Sequence, residues 1–292
     1  HKVTKAMEAV SAVKMRHSQE RALEARPYAV HALSILKRIS GSVDAIANPL
    51  MLNREIKKTC IVSVTSDKGL AGNLNNAVIK KITREMESRG LDSSNTIFVC
   101  LGRRGFEYFS KRGYAVERYL ENLSDAVSVA DMKEVSDFLA ASFMEGKCDE
   151  CLVFYTNFVS TFEQAASMRK VLPIDFRAVE EVVKGILPVR GKYAKPEDGT
   201  KDSAQPLEYI FEPDQKRVLA ELVPHLLNIE MYHVLLESKA SEHSSRMVAM
   251  KNASDKAEEM SDDLNLKFNK ERQTLITREV SEIVGGIEAM AK

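Results

Sequence analysis

Residues 225–284 read "HLLNIEMYHVLLESKASEHSSRMVAMKNASDKAEEMSDDLNLKFNKERQTLITREVSEIV", and these 60 residues contain neither glycine nor proline. An unbroken helix of this length would reach about 90 Å, whereas an ordinary globular helix has about 10–14 residues. Apolar residues recur along it in steps of three and four, which is the pattern of one helical stripe. They include Met250, Ala253, Ala257, Met260, Leu264, Phe268, Ile276, Val280, Ile283 and Ile287. The stretch therefore predicts a long helix that packs in a coiled coil.

The N-terminal flank carries a second stripe with the same spacing. Its members are Val3, Ala6, Val10, Val13, His17 and Leu23. Proline lacks a backbone donor, so we expect this helix to kink or end at Pro27 and to resume towards Ser40. We predict that the two flanks pair antiparallel, with the middle of the chain inserted between them as a separate domain.

The helix breakers lie in that middle, since 11 of the 13 glycines fall between Gly41 and Gly199. Strand patterns alternate there with helical patterns, which indicates right-handed crossovers and a mostly parallel sheet. The predicted strands are "TCIVSVT", "NTIFVCLG" and "CLVFYTNF", and the predicted helices are "LNNAVIKKITREMESRG", "RRGFEYFSKRG" and "VSVADMKEVSDFLAASFMEG". Residues 185–206 are polar and rich in breakers, so we predict a loop. We place the N-terminal helix at 1–56, the α/β domain at 57–206 and the C-terminal helix at 207–292.

The charges balance over the whole chain but not at its start. Lys plus Arg and Asp plus Glu both total 42, so the net charge gives no argument for a nucleic-acid partner. Residues 1–40 hold eight Lys or Arg against three Glu, which makes one end of the molecule basic. No apolar run is long enough to cross a membrane, and we expect no secretory leader. We therefore expect any membrane association to come through partners alone.

A glycine-containing turn, "TSDKGLAGNLNNAV" at residues 65–78, follows the first predicted strand and raises the question of a phosphate site. The Walker pattern requires Lys and Ser or Thr after its last glycine, but Asn73 and Leu74 follow Gly72. The dinucleotide pattern requires three glycines, and only Gly69 and Gly72 are present. Asp67 could hold a metal, but aspartate is a common turn and cap residue, and we interpret it as structural. We predict no bound nucleotide or other cofactor and no metal.

Catalytic side chains are also scarce. The six histidines all lie in the helical flanks, so the α/β domain has no imidazole for acid–base or metal chemistry. Cys148 and Cys151 form a C-x-x-C, but the pair precedes a strand, unlike a thioredoxin motif, and a second pair for zinc is absent. The residues alone leave two alternatives open, a nucleotide-binding α/β enzyme with a coiled-coil oligomerisation stalk and a static coiled-coil tether.

Three stretches of the chain resemble the signature regions of the γ subunit of F-type ATP synthases. They are "HKVTKAMEAVSAVKMRHSQERALEARPYA", "VTSDKGLAGNLN" and "ASEHSSRMVAMKNASDKAEEMSDDLNLKFNKERQTLITREVSEIVGGIEAM". The resemblance implies a long antiparallel coiled coil that carries a Rossmann-like α/β domain without a nucleotide. It also implies a non-catalytic central stalk whose rotation, driven by proton flow through a ring of c subunits, cycles the catalytic subunits. The implied partners are a hexameric ring of alternating catalytic and non-catalytic subunits, the c-subunit ring and small central-stalk subunits of the delta or epsilon type.

The resemblance also implies contact residues. Lys14, Met15 and Arg16 match the part of the stalk that faces an acidic loop of the catalytic subunits. Arg272 and Gln273 match a pair that engages a catch loop of the ring, and Thr277 and Glu279 lie one to two turns further on. Tyr209 and Glu212, in "EYIFEPD", match the segment that meets the c ring.

The turn and the loop depart from the family pattern. The family's "GLCGG" is "GLAGN" here, with Ala71 and Asn73 in place of Cys and Gly, which argues against a phosphate cradle. Residues 185–206 contain no cysteine, so we expect none of the redox switching of the plastid form. General similarity favours the matrix side of the mitochondrial inner membrane, with the cytoplasmic side of a bacterial plasma membrane as the alternative.

Overall fold

The computed structural model describes residues 1–39, 48–174 and 214–290. Its main elements are two long helices and one five-stranded sheet covered by shorter helices. Helix α1 spans Lys2–Ile39, and the last helix, α5, spans Gln215–Met290. Between them lie strands β1 (Thr59–Val64), β2 (Thr96–Leu101), β3 (Ala115–Leu120), β4 (Glu150–Phe158) and β5 (Gln164–Leu172). The remaining helices are α2 (Leu74–Arg89), α3 (Arg103–Ser110) and α4 (Val129–Met144). The predicted loop 185–206 lies outside the described residues.

The sheet has the strand order β3-β2-β1-β4-β5. Strands β1 to β4 are parallel, and β5 returns antiparallel beside β4. The three predicted strands are confirmed as β1, β2 and β4, whose residues are mostly buried as expected of a sheet covered on both faces. The edge strands β3 and β5 lack such continuous apolar runs, and the sequence did not predict them.

Helices cover both faces of the sheet. Helices α2 and α3 pack on one face, where Phe98 stacks on Phe109 with ring centroids 4.3 Å apart. Helix α4 and the first part of α5 pack on the other, where Leu139 and Leu235 join one core with Val153 of β4. The long C-terminal helix is therefore part of the core of the α/β domain.

The two flanking helices run antiparallel, as predicted. Thr4 Oγ1 donates a hydrogen bond to Ser254 Oγ at 3.1 Å, so the start of α1 meets the middle of α5. The predicted stripe of α1 was wrong in phase: Val3 and Val10 are 72% and 54% exposed. The buried positions are Ser11, Met15 and Ser18. Small serines let two helix backbones approach closely, and a search for apolar residues passes over them.

Helix α1 does not end at Pro27. It is continuous to Ile39, and α5 likewise contains Pro224. An interior proline removes one backbone hydrogen bond and costs about 3 kcal/mol or more. The contact between α1 and α5 is the most extensive between any two described elements, and this pairing can offset that cost.

Candidate functional site

No other described part of the chain covers the second half of α5. Every residue from 258 to 287 is exposed, and we call this stretch the bare segment. Large apolar side chains are among them, including Leu264 at 63%, Phe268 at 65% and Ile283 at 63% exposure. Among the described residues, the first turn of α1 lies opposite Ser254, and no part of α1 packs on the bare segment. An apolar exposed surface of this length is typical of an interaction site.

The bare segment holds four of the predicted contact residues, Arg272, Gln273, Thr277 and Glu279. Thr277 Oγ1 donates to the backbone carbonyl of Gln273 at 2.8 Å, so these two residues lie on one face one turn apart. Arg272 and Glu279 have no ion-pair partner within residues 1–39, 48–174 and 214–290. Their charges remain available to a partner chain.

The three residues predicted on α1 differ in their surroundings. Met15 is 8% exposed and packs inside the chain, whereas Arg16 is exposed. Lys14 is half-exposed and pairs with Asp125 at 2.7 Å. The remaining predicted contacts, Tyr209 and Glu212, lie outside the described residues.

Asp125, in the loop before α4, connects the α/β domain to both long helices. Its carboxylate lies 2.7 Å from Lys14 Nζ on α1, 2.8 Å from His243 Nε2 and 3.9 Å from Lys239 Nζ on α5. The Asp125 carbonyl also accepts a hydrogen bond from Arg21 at 2.7 Å. The hydrogen bond from His243, with that from Lys14, holds the pKa of Asp125 well below its usual value. Sequence reasoning missed this residue because its partners are more than 100 positions away.

Local capping fixes the loop that carries Asp125. Ser128 and Asp131 form a capping box, in which the Ser128 backbone N–H donates to the Asp131 carboxylate at 2.7 Å and the Asp131 N–H donates to Ser128 Oγ at 3.3 Å. Helix α4 thus starts at a defined point, because its N-cap residue Ser128 lies three residues after Asp125.

A groove lies between α1 and the glycine turn, with a volume of about 590 Å³. Val3, Val10 and Leu70 supply its apolar wall, and Leu70 is 60% exposed in a left-handed conformation with φ of +64°. Four cations also line it, namely Lys2, Lys14, Lys68 and Arg246. We call this the basic groove, because it combines apolar surface with positive charge.

The glycine turn is a structural contact. The Asp67 carboxylate accepts hydrogen bonds from the backbone N–H groups of Arg103 at 3.0 Å and Asn122 at 2.9 Å, so it caps α3 and fixes the loop after β3. Ser245 on α5 donates to the Ala71 carbonyl at 2.7 Å. A side chain at Gly72, which has φ of +56°, would begin 3.2 Å from Ser245 Oγ. The turn thus docks the domain on α5.

Two further features bear on chemistry. The four cysteines are buried and unbridged, and burial raises the pKa of Cys100 to about 11, which disfavours a reactive thiolate. In the part of the chain that the structure describes, no His, Cys, Asp and Glu side chains gather in a group suited to a metal ion. No helix there is long and apolar enough to span a bilayer.

Comparisons with known proteins identify the family. The family model described as ATP synthase matches residues 1–290. An ATP synthase gamma chain of Pelotomaculum thermopropionicum is 37% identical over 288 residues, covering 99% of this chain and 93% of its own. One of Cytophaga hutchinsonii is 37% identical over 292 residues with the same coverage. The chain belongs to the ATP synthase gamma family.

Solved structures agree with this family at the level of the fold. A chain of the central stalk and c-ring of Tetrahymena thermophila mitochondrial ATP synthase gives a TM-score of 0.63 at 22% identity, over 86% of this chain and 99% of that one. A chain from the Euglena gracilis mitochondrial enzyme gives 0.55 at 15% identity, over 98% and 95%. These similarities confirm the predicted combination of coiled coil and α/β domain.

Membership of the gamma family confirms the resemblance found in the sequence. The predicted function as the central shaft of an ATP synthase fits these comparisons, and the alternative of a nucleotide-binding enzyme does not. The two gamma chains named above are bacterial, and the two mitochondrial structures, at 22% and 15% identity, show the fold alone. The comparisons therefore do not show the mitochondrial location that general similarity favours.

Proposed function

We propose that this gamma-family chain is the rotating shaft of a proton-translocating ATP synthase and supplies no catalytic residue itself. The observation that carries the proposal is the match to the ATP synthase family over residues 1–290, and the bare segment, whose exposed apolar side chains include Leu264 and Phe268, is the surface that it assigns to partner contact. A surrounding hexameric ring of alternating catalytic and non-catalytic subunits would cover this surface on all sides. The other partners in the proposal are the c-subunit ring and small central-stalk subunits of the delta or epsilon type.

The proposed setting is the cytoplasmic side of a bacterial plasma membrane, with the membrane contacted only through partner subunits. The bacterial relatives support this location. Tyr209 and Glu212 are proposed to contact the c ring on the strength of the family resemblance. The division into 1–56, 57–206 and 207–292 remains a prediction.

The basic groove supports a contact with an acidic loop of the catalytic subunits. Lys2 and Lys68 are exposed and attract carboxylates, and Val3 with Leu70 offers apolar surface beside them. Arg246 is buried and already paired with Glu242. Lys14 lines the groove and also forms an ion pair with Asp125. An acidic loop that enters the groove therefore competes with the Asp125 carboxylate for the Lys14 ammonium group. Arg16 adds an exposed charge nearby, and the buried Met15 fixes the position of both neighbours. We propose that Lys14, Met15 and Arg16 act here in these ways.

Rotation can shift a catalytic site only through contacts that differ between its states. The bare segment meets this requirement because its faces differ. Gln273, Ile276, Thr277 and Val280 lie on one side of the helix, at spacings of three and four residues. The opposite side carries Arg278 and Glu282, which form an ion pair. We propose that Arg272, Gln273, Thr277 and Glu279 contact the ring through this asymmetric surface.

The proposal is tested by comparing Arg272→Ala with Lys270→Ala in the assembled complex. Both changes remove one positive charge from the bare segment, but the two positions are about 200° apart around the helix. We expect Arg272→Ala to lower ATP synthesis several-fold at normal subunit composition, because loss of one desolvated charged contact costs on the order of 1–3 kcal/mol. Lys270→Ala should have less than a twofold effect. Equal activities of both variants and the parent would contradict the contact role of Arg272.

A further inference from the structure

A cluster of ionisable side chains lies buried where α5 crosses the sheet. Glu230, His233 and Glu237 are spaced by three and four residues on α5, so they share one face of the helix. Their exposures are 5%, 0% and 9%. They face Tyr155 of β4, which is fully buried, and Arg169 of β5. We call these five residues the buried junction.

Several polar atoms of the buried junction lack hydrogen-bond partners. Within the described chain, the unpaired atoms include Glu230 Oε1, both ring nitrogens of His233, the Tyr155 hydroxyl and Arg169 Nη1. Each buried polar group without a partner costs about 1–3 kcal/mol, and an ionised group costs more. Because burying these unpaired groups destabilises the fold, their presence calls for an explanation other than packing.

The charges of the buried junction do not balance if both carboxyls are ionised. Arg169 is its only fixed cation, and its Nη2 lies 3.9 Å from Glu237 Oε2. No such ion pair connects Arg169 to Glu230 among the described residues, so Glu230 is left without a close cation. A buried carboxylate in that position is strongly unfavourable, which favours the protonated form of Glu230.

The groups that neighbouring elements place around Glu230 are consistent with its protonated form. Arg169 of β5 is the charged group that acts on Glu230, while β4 contributes Tyr155 and the thiol of Cys151. Burial raises the pKa of Glu230 to about 7 against the opposing effect of Arg169, and burial also raises that of Glu237. Burial lowers the pKa of His233 to about 4, so its ring is neutral at neutral pH and cannot neutralise Glu230.

We propose that the buried junction is a proton-linked latch, in which Glu230 holds a proton while α5 is docked on the sheet and loss of that proton loosens the docking. The latch lies where the α/β domain holds the long helix, so it links pH to the stiffness of the connection between them. This device goes beyond the shaft function and does not depend on it.

The sign of the pH effect follows from the direction of the shift. A carboxyl whose pKa is higher in the fold than in the unfolded chain contributes stability that is complete below the unfolded value, here 4.5. That contribution is lost as the pH rises through about 7. Between about pH 6 and pH 8 this single group should raise the unfolding equilibrium constant about tenfold.

The test compares Glu230→Gln with Glu221→Gln in the full chain. Glutamine keeps the size of Glu230 and cannot ionise, while Glu221 is an exposed residue of the same helix. Between the two pH values, the unfolding equilibrium constant from urea unfolding should rise about tenfold more in the parent and in Glu221→Gln than in Glu230→Gln, because His233 and the other titrating groups are common to all three proteins. The same pH dependence in all three proteins would overturn the proposal.

Infrared spectroscopy provides a readout that does not depend on stability. The carbonyl band of a protonated carboxylic acid should disappear from the folded parent between about pH 6 and pH 8. Glu237→Gln leaves Glu230 in place, so this variant should show the same band and the same disappearance with pH. It decides the matter if Glu230→Gln does not fold. Absence of the band at the lower pH in the parent or in Glu237→Gln would overturn the proposal.

Discussion

The two halves of α5 share one helix but have opposite surroundings. Residues 226–244 are buried on almost every side, by the sheet and α4 on one side and α1 on the other, whereas 258–287 are exposed on every side. Composition does not account for this contrast. The buried half includes Glu230 and His233, and the exposed half includes Leu264 and Phe268.

The two halves of α5 therefore have different roles. The buried half anchors the α/β domain through a shared core and the Asp125 ion pairs. The side chains of the bare segment are exposed and have no packing partner among the described residues. Substitutions in the first half should therefore change stability, and substitutions in the second should change function in the assembled complex.

The largest expected difference is between Leu227→Ala and Leu264→Ala. Leu227 is 1% exposed and Leu264 is 63% exposed, so the same truncation removes core contacts in one place and almost none in the other. We expect Leu227→Ala to lower the free energy of unfolding by roughly 3 kcal/mol and Leu264→Ala by less than about 0.5 kcal/mol. Urea denaturation of the two variants measures both values. Equal losses would show that the halves do not differ as described.

A smaller effect is expected from Asp125→Asn, which keeps the shape of the side chain and removes its charge. Because the carboxylate is one-third exposed, the loss should be only about 1–2 kcal/mol at neutral pH. The native pKa is depressed, so the contribution is present above the usual value of about 4 and is lost as the pH falls through the native pKa. Unfolding measured down an acid series should therefore converge for parent and variant.

Asp137→Asn is the matched control for this prediction. Asp137 pairs with Lys133 at 2.7 Å, the same distance as Asp125 to Lys14, but both partners are more than half exposed. We expect a loss of less than about 0.5 kcal/mol. If Asp137→Asn lowered the free energy of unfolding as much as Asp125→Asn, the Asp125 ion pairs would stabilise the fold no more than an ordinary surface ion pair does.

The elements with simple periodicity could be predicted from the sequence. Strands β1, β2 and β4 are continuous apolar runs, and the absence of breakers in 225–284 predicted the long helix correctly. Strand β3 was missed because an edge strand needs no apolar run, and its "AVERYL" is largely exposed. Periodicity describes a residue's own helix or strand and contains no information about what lies opposite.

The contacts that depend on distant residues could not be predicted. The seam of α1 uses Ser11 and Ser18, which become visible as a seam only when α5 is placed beside them. Asp125 has no motif of its own, and its role depends on Lys14 and His243, more than 100 residues away on either side. The candidate contact residues came from family resemblance, since an exposed arginine such as Arg272 has no distinguishing local pattern.

The central claim is that the chain turns as a shaft inside its partners, and single-molecule rotation tests it most directly. Phe162 is 81% exposed on the α/β domain, and the four native cysteines are buried, so Phe162→Cys provides a single accessible site for a probe. With the catalytic ring of the assembled complex fixed to a surface, we predict that ATP drives the probe in one direction in regular steps. A probe that stays stationary while the complex hydrolyses ATP would contradict the account.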